Sequence, residues 1–197
     1  MSTATHPSRR EYLSDIAFTP AVKAIQIQKG SRSSYARMER GEGWQTTVTP
    51  ELAEFLADLD MLYLGTANTE GQPYIQYRGG PPGFLKVLDE HTLGFADFGG
   101  NRQYITLGNL AENPKAFLFL MDYANSRRVK VWGTARVVEG DGALEDRLRD
   151  PAYPGKVERA ILFMVEAWDV NCQQHIHQRF SQRQIAPVTV KPLSTLK

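Results

Sequence analysis

PYIQYRGGPPGFLKVLDEHTLGFADFGGNRQY, residues 73–104, is the stretch whose reading decides the fold. It opens with alternating side chains that end in Tyr77-Arg78. It is then broken by Gly79-Gly80-Pro81-Pro82-Gly83, which no helix tolerates. Phe84 to Leu88 and Thr92 to Phe98 read as two further strands around the tight turn Asp89-Glu90-His91. The second of these ends in Ala96-Asp97-Phe98, and Gly99-Gly100-Asn101 leads into a helix over Arg102 to Glu112 that stops at Asn113-Pro114. If the connections are antiparallel, the Arg78 end and the Asp97 end lie near one another. Arg78 and Arg102 then converge on an anion, with backbone amides of Gly100-Asn101-Arg102 as further donors. Arginine suits phosphate because its planar fork donates two parallel hydrogen bonds. The competing reading is that both arginines are solvated surface charges.

The same alternation extends outward. Met61 to Ala67 is a strand, Asn68-Thr69-Glu70-Gly71 a turn, and Gln72 to Arg78 its hairpin partner, with Pro73 at an edge. Downstream, Lys115 to Tyr123 and Arg127 to Glu139 are strands around Asn125-Ser126. Residues 141–160 have helical composition interrupted by Pro151 and Pro154, and Ile161 to Val170 is the last strand. Upstream, Thr49-Pro50-Glu51 opens a helix with Leu52, Phe55, Leu56 and Leu59 on one stripe. Thr19-Pro20 opens another that ends at Gly30. Residues 31–48 read as loop, and 1–14 as a poorly ordered lead-in. The expectation is a mainly β chain with peripheral helices (α+β), its short antiparallel strands closed into a barrel or stacked as a sandwich. Its parts are an N-terminal extension over 1–48, a barrel domain over 49–180 and a tail over 181–197.

The totals exclude several classes. A net charge of +1 argues against a nucleic-acid binder. Cys172 is the single cysteine, so no intramolecular disulfide or cysteine metal cage forms. No apolar run reaches the roughly 20 residues of a bilayer span. The first residues lack the apolar core of a secretory signal. The expectation is a cytoplasmic protein with no membrane or nucleic-acid partner. Nucleophile-elbow, zinc-protease, P-loop and dinucleotide-binding signatures are all missing. His175 and His177 share a face if their segment is a strand, but no third ligand sits nearby, so no metal site is expected. Residues 166–180, EAWDVNCQQHIHQRF, gather Trp168, Asn171, Gln174 and His175. An aromatic wall with amide and imidazole donors suits a flat heteroaromatic ligand. The plainer reading is a core tryptophan followed by a capped polar segment.

Together these motifs resemble the FMN-binding split barrel of the pyridoxamine 5′-phosphate oxidase-like proteins. The run from Met61 to Gly133 carries the pattern: the N-T-E-G hairpin, ADFGGNRQ, the helix ending L-A-E-N-P-K-A, then AFLFLMDY and RRVKVWGTARVV. FTPAVKAIQIQKGSR at 18–32 and WDVNCQQHI at 168–176 are similar to a subgroup of bacterial flavin-nucleotide-binding proteins. The resemblance implies an antiparallel split β-barrel that binds FMN across a homodimer interface. Ile75, Gln76, Tyr77 and Arg78 would run along the isoalloxazine ring, close to Asp97. Asn101, Arg102 and Gln103 would hold the phosphate and the ring's pyrimidine edge. Trp168, Asn171, Gln174 and His175 are candidates for the part of the shared pocket that the second subunit supplies, with His175 nearest the substrate face.

The implied activity is an FMN-dependent oxidoreductase of unknown substrate, with a small molecule or a nicotinamide nucleotide, NADH or NADPH, as reaction partner. The alternatives are a module that sequesters or senses FMN without turnover, or the same barrel carrying haem or the deazaflavin F420. The chain departs from true pyridoxamine phosphate oxidases in two places. Arg102-Gln103 stands where they carry Arg-Lys, and the tail QRQIAPVTVKPLSTLK lacks their C-terminal Trp- and Arg-rich segment. The vitamin phosphate is therefore not implied as the substrate.

Overall fold

The computed structural model describes residues 10–41, 43–170, 173–181 and 184–185. In chain order the helices are α1 (Pro20–Gln28), α2 (Arg32–Glu39), α3 (Pro50–Ala57), α4 (Ile105–Glu112) and α5 (Gly142–Leu148). The strands are β1 (Met61–Ala67), β2 (Pro73–Gly79), β3 (Lys86–Val87), β4 (Thr92–Phe98), β5 (Lys115–Asp122), β6 (Arg127–Val138) and β7 (Val157–Val170).

Local chemistry starts several of these elements. Thr19 and Thr49 accept from the amides of Val22 and Leu52, each at 3.3 Å, with proline at the first helical position. That satisfies an amide the helix itself leaves unpaired. In the β1–β2 hairpin Asn68 Oδ1 accepts from Gln72 N at 2.9 Å, and Gly71 takes φ +84°, a conformation that favours glycine.

All strands pair antiparallel in the order β2-β1-β5-β6-β7-β4-β3. The fold is an α+β split barrel. Its concave side buries Leu62, Leu64, Phe95, Leu118, Leu120, Val131 and Phe163, with Leu52, Phe55 and Leu56 of α3 as a lid on that core. Removing surface of this kind from water is the main stabilising term. The sheet also curls: Arg78 on the outermost strand β2 lies 2.8 Å from Asp97 on β4, five places along the strand order. At the β6 bulge, Gly133 passes so close to β7 that a Cβ there would sit 1.9 Å from the Met164 carbonyl oxygen. Only glycine permits that approach.

Four expectations need correction. Residues 32–39 form α2 rather than loop. The segment has no apolar stripe; an ion pair between its own two ends, Arg32 and Glu39, and one from Lys23 of α1 to Glu39 hold it instead. Leu13–Ile16 form a 3₁₀ turn at the end of the expected lead-in, with Ser14 buried and donating to Glu39 at 3.1 Å. Phe84 and Leu85 leave the expected third strand to fill the core, so only Lys86–Val87 pair with β4. The last strand begins at Val157, not Ile161, because α5 ends at Leu148 before Pro151. Beyond β7, residues 176–179 bind the β5–β6 turn: Ser126 Oγ donates to Ile176 O, and Gln178 Nε2 to Ala124 O.

Candidate functional site

Three elements converge where the barrel edges meet. Strand β2 brings Gln76, Tyr77 and Arg78, β4 ends at Asp97, and the 99–104 loop leads into α4. Between them is a cavity of about 320 Å³ that also touches Arg102, Tyr104 and Arg159. That volume is at the small end for ligand pockets.

The loop explains the charge pattern. Arg102 and Tyr104 both take left-handed backbone conformations, φ +58° and +54°, which non-glycine residues adopt at a cost. Helix α4 consequently starts at Ile105, three residues later than the composition predicts. Tyr104 occupies its N-cap without a side-chain cap hydrogen bond. The first amides of α4 thus lack the usual Ser, Thr or Asp acceptor and keep the partial positive charge of a helix start. Asn101, Arg102 and Gln103 are exposed, and Asn101 Oδ1 accepts from Gln103 N at 3.3 Å, bracing the turn. Deeper, Thr106 is 1% exposed and its Oγ1 donates to Gln76 Oε1 at 2.6 Å, which fixes that amide at the wall.

The floor is an ion cluster. Asp97 and Arg159 are cross-strand partners of β4 and β7. Arg159 Nη1 donates to Asp97 Oδ2 at 3.1 Å, Nε to Glu139 at 2.9 Å and Nη2 to Glu158 at 2.9 Å. The Tyr104 ring lies 5.6 Å from its guanidinium carbon. Arg78 Nη1 is 2.8 Å from Asp97 Oδ1, outside hydrogen-bond geometry, and the buried Arg78 Nε has no hydrogen-bond partner. The two arginines respond oppositely. Burial strips water from Arg78 and holds its pKa below the ordinary guanidinium value, despite the charge of Asp97. Burial also opposes the charge of Arg159, but its hydrogen bonds to Glu139 and Asp97 outweigh that and raise the pKa.

The structure therefore brings together Gln76, Tyr77, Arg78, Asp97, Asn101 and Arg102 around one cavity. Ile75 is 69% exposed and does not line the cavity, although it shares the outer face of β2 with Tyr77. Gln103 is in the loop but does not line the cavity. Within the chain, Trp168 is elsewhere: it is buried in the core and its Nε1 donates to Thr47 O at 2.7 Å, as the plainer reading holds. Gln174 and His175 follow β7 on the surface, and Asn171 lies outside the described residues. Among the described residues no group of three or more His, Cys, Asp or Glu is placed to hold a metal ion, and no helix is long and apolar enough to cross a membrane.

Arg159, Tyr104 and Thr106 were not singled out from the sequence. Only Arg159 left a signal, a charge directly before the apolar run Ala160 to Val165. A larger cavity of about 630 Å³ lies beside the end of α3, residues 179–181 and Gln184. Nothing there matches an uncapped helix start flanked by arginines, so the smaller cavity is the candidate site.

Comparison with known proteins agrees with this architecture. No curated protein sequence matches the chain significantly. Its fold is similar to a tagged HupZ variant of Group A Streptococcus, with TM-score 0.51 and 16% identity, covering 63% of this chain and 99% of that one. A candidate pyridoxamine 5′-phosphate oxidase of Lactobacillus delbrueckii gives TM-score 0.49 and 22% identity, covering 63% and 94%. An FMN-binding protein of Syntrophomonas wolfei gives 0.49 and 15%, covering 74% and 97%. Residues 48–175, well over half of the chain, match the sequence profile of pyridoxamine 5′-phosphate oxidase. That match leads to one assignment: this chain belongs to the pyridoxamine 5′-phosphate oxidase family.

Proposed function

We propose that the chain binds FMN at the β2–β4–α4 cavity and acts as an FMN-dependent oxidoreductase. The observation that carries this reading is the uncapped start of α4 beside the exposed Arg102. Free amides and a guanidinium at the mouth of a cavity fit a phosphate. The residues present fit the rest of the group as well. Gln76, held by Thr106, offers an amide to the ring heteroatoms, and Arg78 presents positive charge at the wall. FMN, when bound, supplies the hydride or electron transfer, so the chain need only orient the ring and tune it.

The cavity is open on one side, and its surroundings carry exposed Ile75, Tyr77, Tyr104 and Ile105. A cluster of exposed apolar groups around an open site supports closure by a second copy of the chain. Dimer stability then rises with FMN, because the ligand binds only the assembled site.

The test is flavin uptake. Purified protein titrated with FMN should quench flavin fluorescence, and Arg102→Ala should weaken binding by about 1.5–3 kcal/mol, roughly ten- to a hundredfold. Intact protein that takes up no FMN overturns the proposal. A second reading, a module that sequesters FMN without turnover, is favoured by one feature. Asp97 and Glu158, the carboxylates of the wall, are tied to arginines rather than free for proton transfer. Anaerobic reduction by NADH or NADPH followed by reoxidation separates the two.

A further inference from the structure

We infer that Asp97 and Arg159 are positioning residues that set how much of the Arg78 charge is left for the ligand ring. This rests on the FMN reading above. Asp97 is 2% exposed and is shared by two guanidiniums. The sharing is unequal. Arg159 takes the hydrogen bond to Oδ2 and has Glu139 and Glu158 besides, so one cation faces three carboxylates. Among the described residues, Asp97 is the one carboxylate in ion-pair range of Arg78, and their contact is not a hydrogen bond. Arg78 is thus a largely desolvated cation, its side chain 15% exposed, with only part of a counter-charge. In a medium of low dielectric such a charge acts strongly on its neighbours.

Two effects follow for a planar ring lying along β2. An under-compensated cation favours the ring edge richest in oxygen and nitrogen acceptors. It also stabilises the added electron density of the reduced ring more than the oxidised ring, and so raises the midpoint potential. Arg159 acts at one remove. By holding Asp97 it prevents that carboxylate from neutralising Arg78. Its own charge is consumed by three carboxylates, so it contributes little directly.

The experiment measures FMN dissociation constants and midpoint potentials, against reference dyes, for the full chain and its variants. In Arg159→Met, Asp97 turns wholly to Arg78. FMN binding weakens several-fold, and the reduced form weakens about tenfold more than the oxidised form. For a two-electron couple that is a fall of about 30 mV. Asp97→Asn keeps the shape and removes the shared charge, so the potential moves upward. Glu139→Gln, a change at a side chain 62% exposed that leaves the fold intact, moves it upward by less, because Arg159 then draws harder on Asp97. Wild-type binding of FMN with an unchanged potential in Arg159→Met, or with Asp97→Asn and Arg159→Met shifting the same way, overturns this inference alone. If Arg159→Met does not fold, an unchanged or lowered potential in Glu139→Gln overturns it. No FMN binding by the wild type overturns the cofactor reading, and this inference with it.

Discussion

Glu39 and Asp97 are carboxylates with almost no exposed side-chain surface, 1% and 3%, each placed between two cations, yet they are solvated by the protein very differently. Glu39, at the end of α2, accepts from both Nη atoms of Arg32 and from Ser14 Oγ, and Lys23 stands 3.6 Å away. Lys23 is itself bound to Asp15 at 2.6 Å. The network ties the 3₁₀ turn, α1 and α2 together, and both carboxylate oxygens are served. Asp97 has one oxygen hydrogen-bonded and the other held by charge alone. A satisfied polar cluster specifies a local fold, whereas a partly satisfied one is tolerated where a ligand gains from it. The N-terminal cluster is closed and structural, and the cluster at the cavity keeps one carboxylate oxygen without a hydrogen bond.

The comparison can be broken by mutation. The largest expected effect is Glu39→Gln, which takes from Arg32 its carboxylate partner while Lys23 keeps Asp15, and costs about 3 kcal/mol, read as a lower urea midpoint with FMN affinity unchanged. Asp97→Asn should cost less stability, about 1–2 kcal/mol, because Oδ1 has no hydrogen bond to lose, Arg159 keeps Glu139 and Glu158, and Arg78 loses a partner that compensated it only in part. Equal losses in the two variants would show that the clusters are alike after all.

A pH series sharpens the contrast. Burial pushes the Glu39 pKa upward, but hydrogen bonds from Arg32 and Ser14 and the charge of Lys23 outweigh it and hold the carboxyl below its usual value. A depressed folded pKa means the stabilisation is complete above the ordinary carboxylate pKa of about 4.3 and is lost as pH falls through the folded value. The stability gap between wild type and Glu39→Gln should stay constant from about pH 7 to 5 and close below that range. The smallest effect is Lys23→Met, about 0.5 kcal/mol, since that partner is a quarter exposed and Arg32 remains.

Much of the barrel was legible because strand alternation and turn chemistry are local. Asn68 to Gln72, Thr49-Pro50 and the apolar run of β5 each carry their signal within a few residues. Helix α2 was not legible, since its partners Ser14 and Lys23 lie on other elements. Of the site, the Tyr77-Arg78 end and the Asn101-Arg102 loop could be found from residue types. The role of Thr106 could not, because it exists only where α4 crosses Gln76. Trp168 shows the reverse: an aromatic residue in a polar segment suits either a ligand or a core, and within the chain it is the packing against the barrel interior and the bond to Thr47 O that place it in the core.

Sequence alone determined the antiparallel strands, the glycine-led turn with its arginine and the absence of familiar catalytic motifs, because those rest on period, backbone freedom and residue chemistry over short spans. Tertiary structure decided which charges meet. Arg78, Asp97 and Arg159 are up to 81 residues apart in numbering, and only the curl of the sheet sets them around one cavity. Burial then turns an ordinary ion pair into an unequal contest for a single carboxylate.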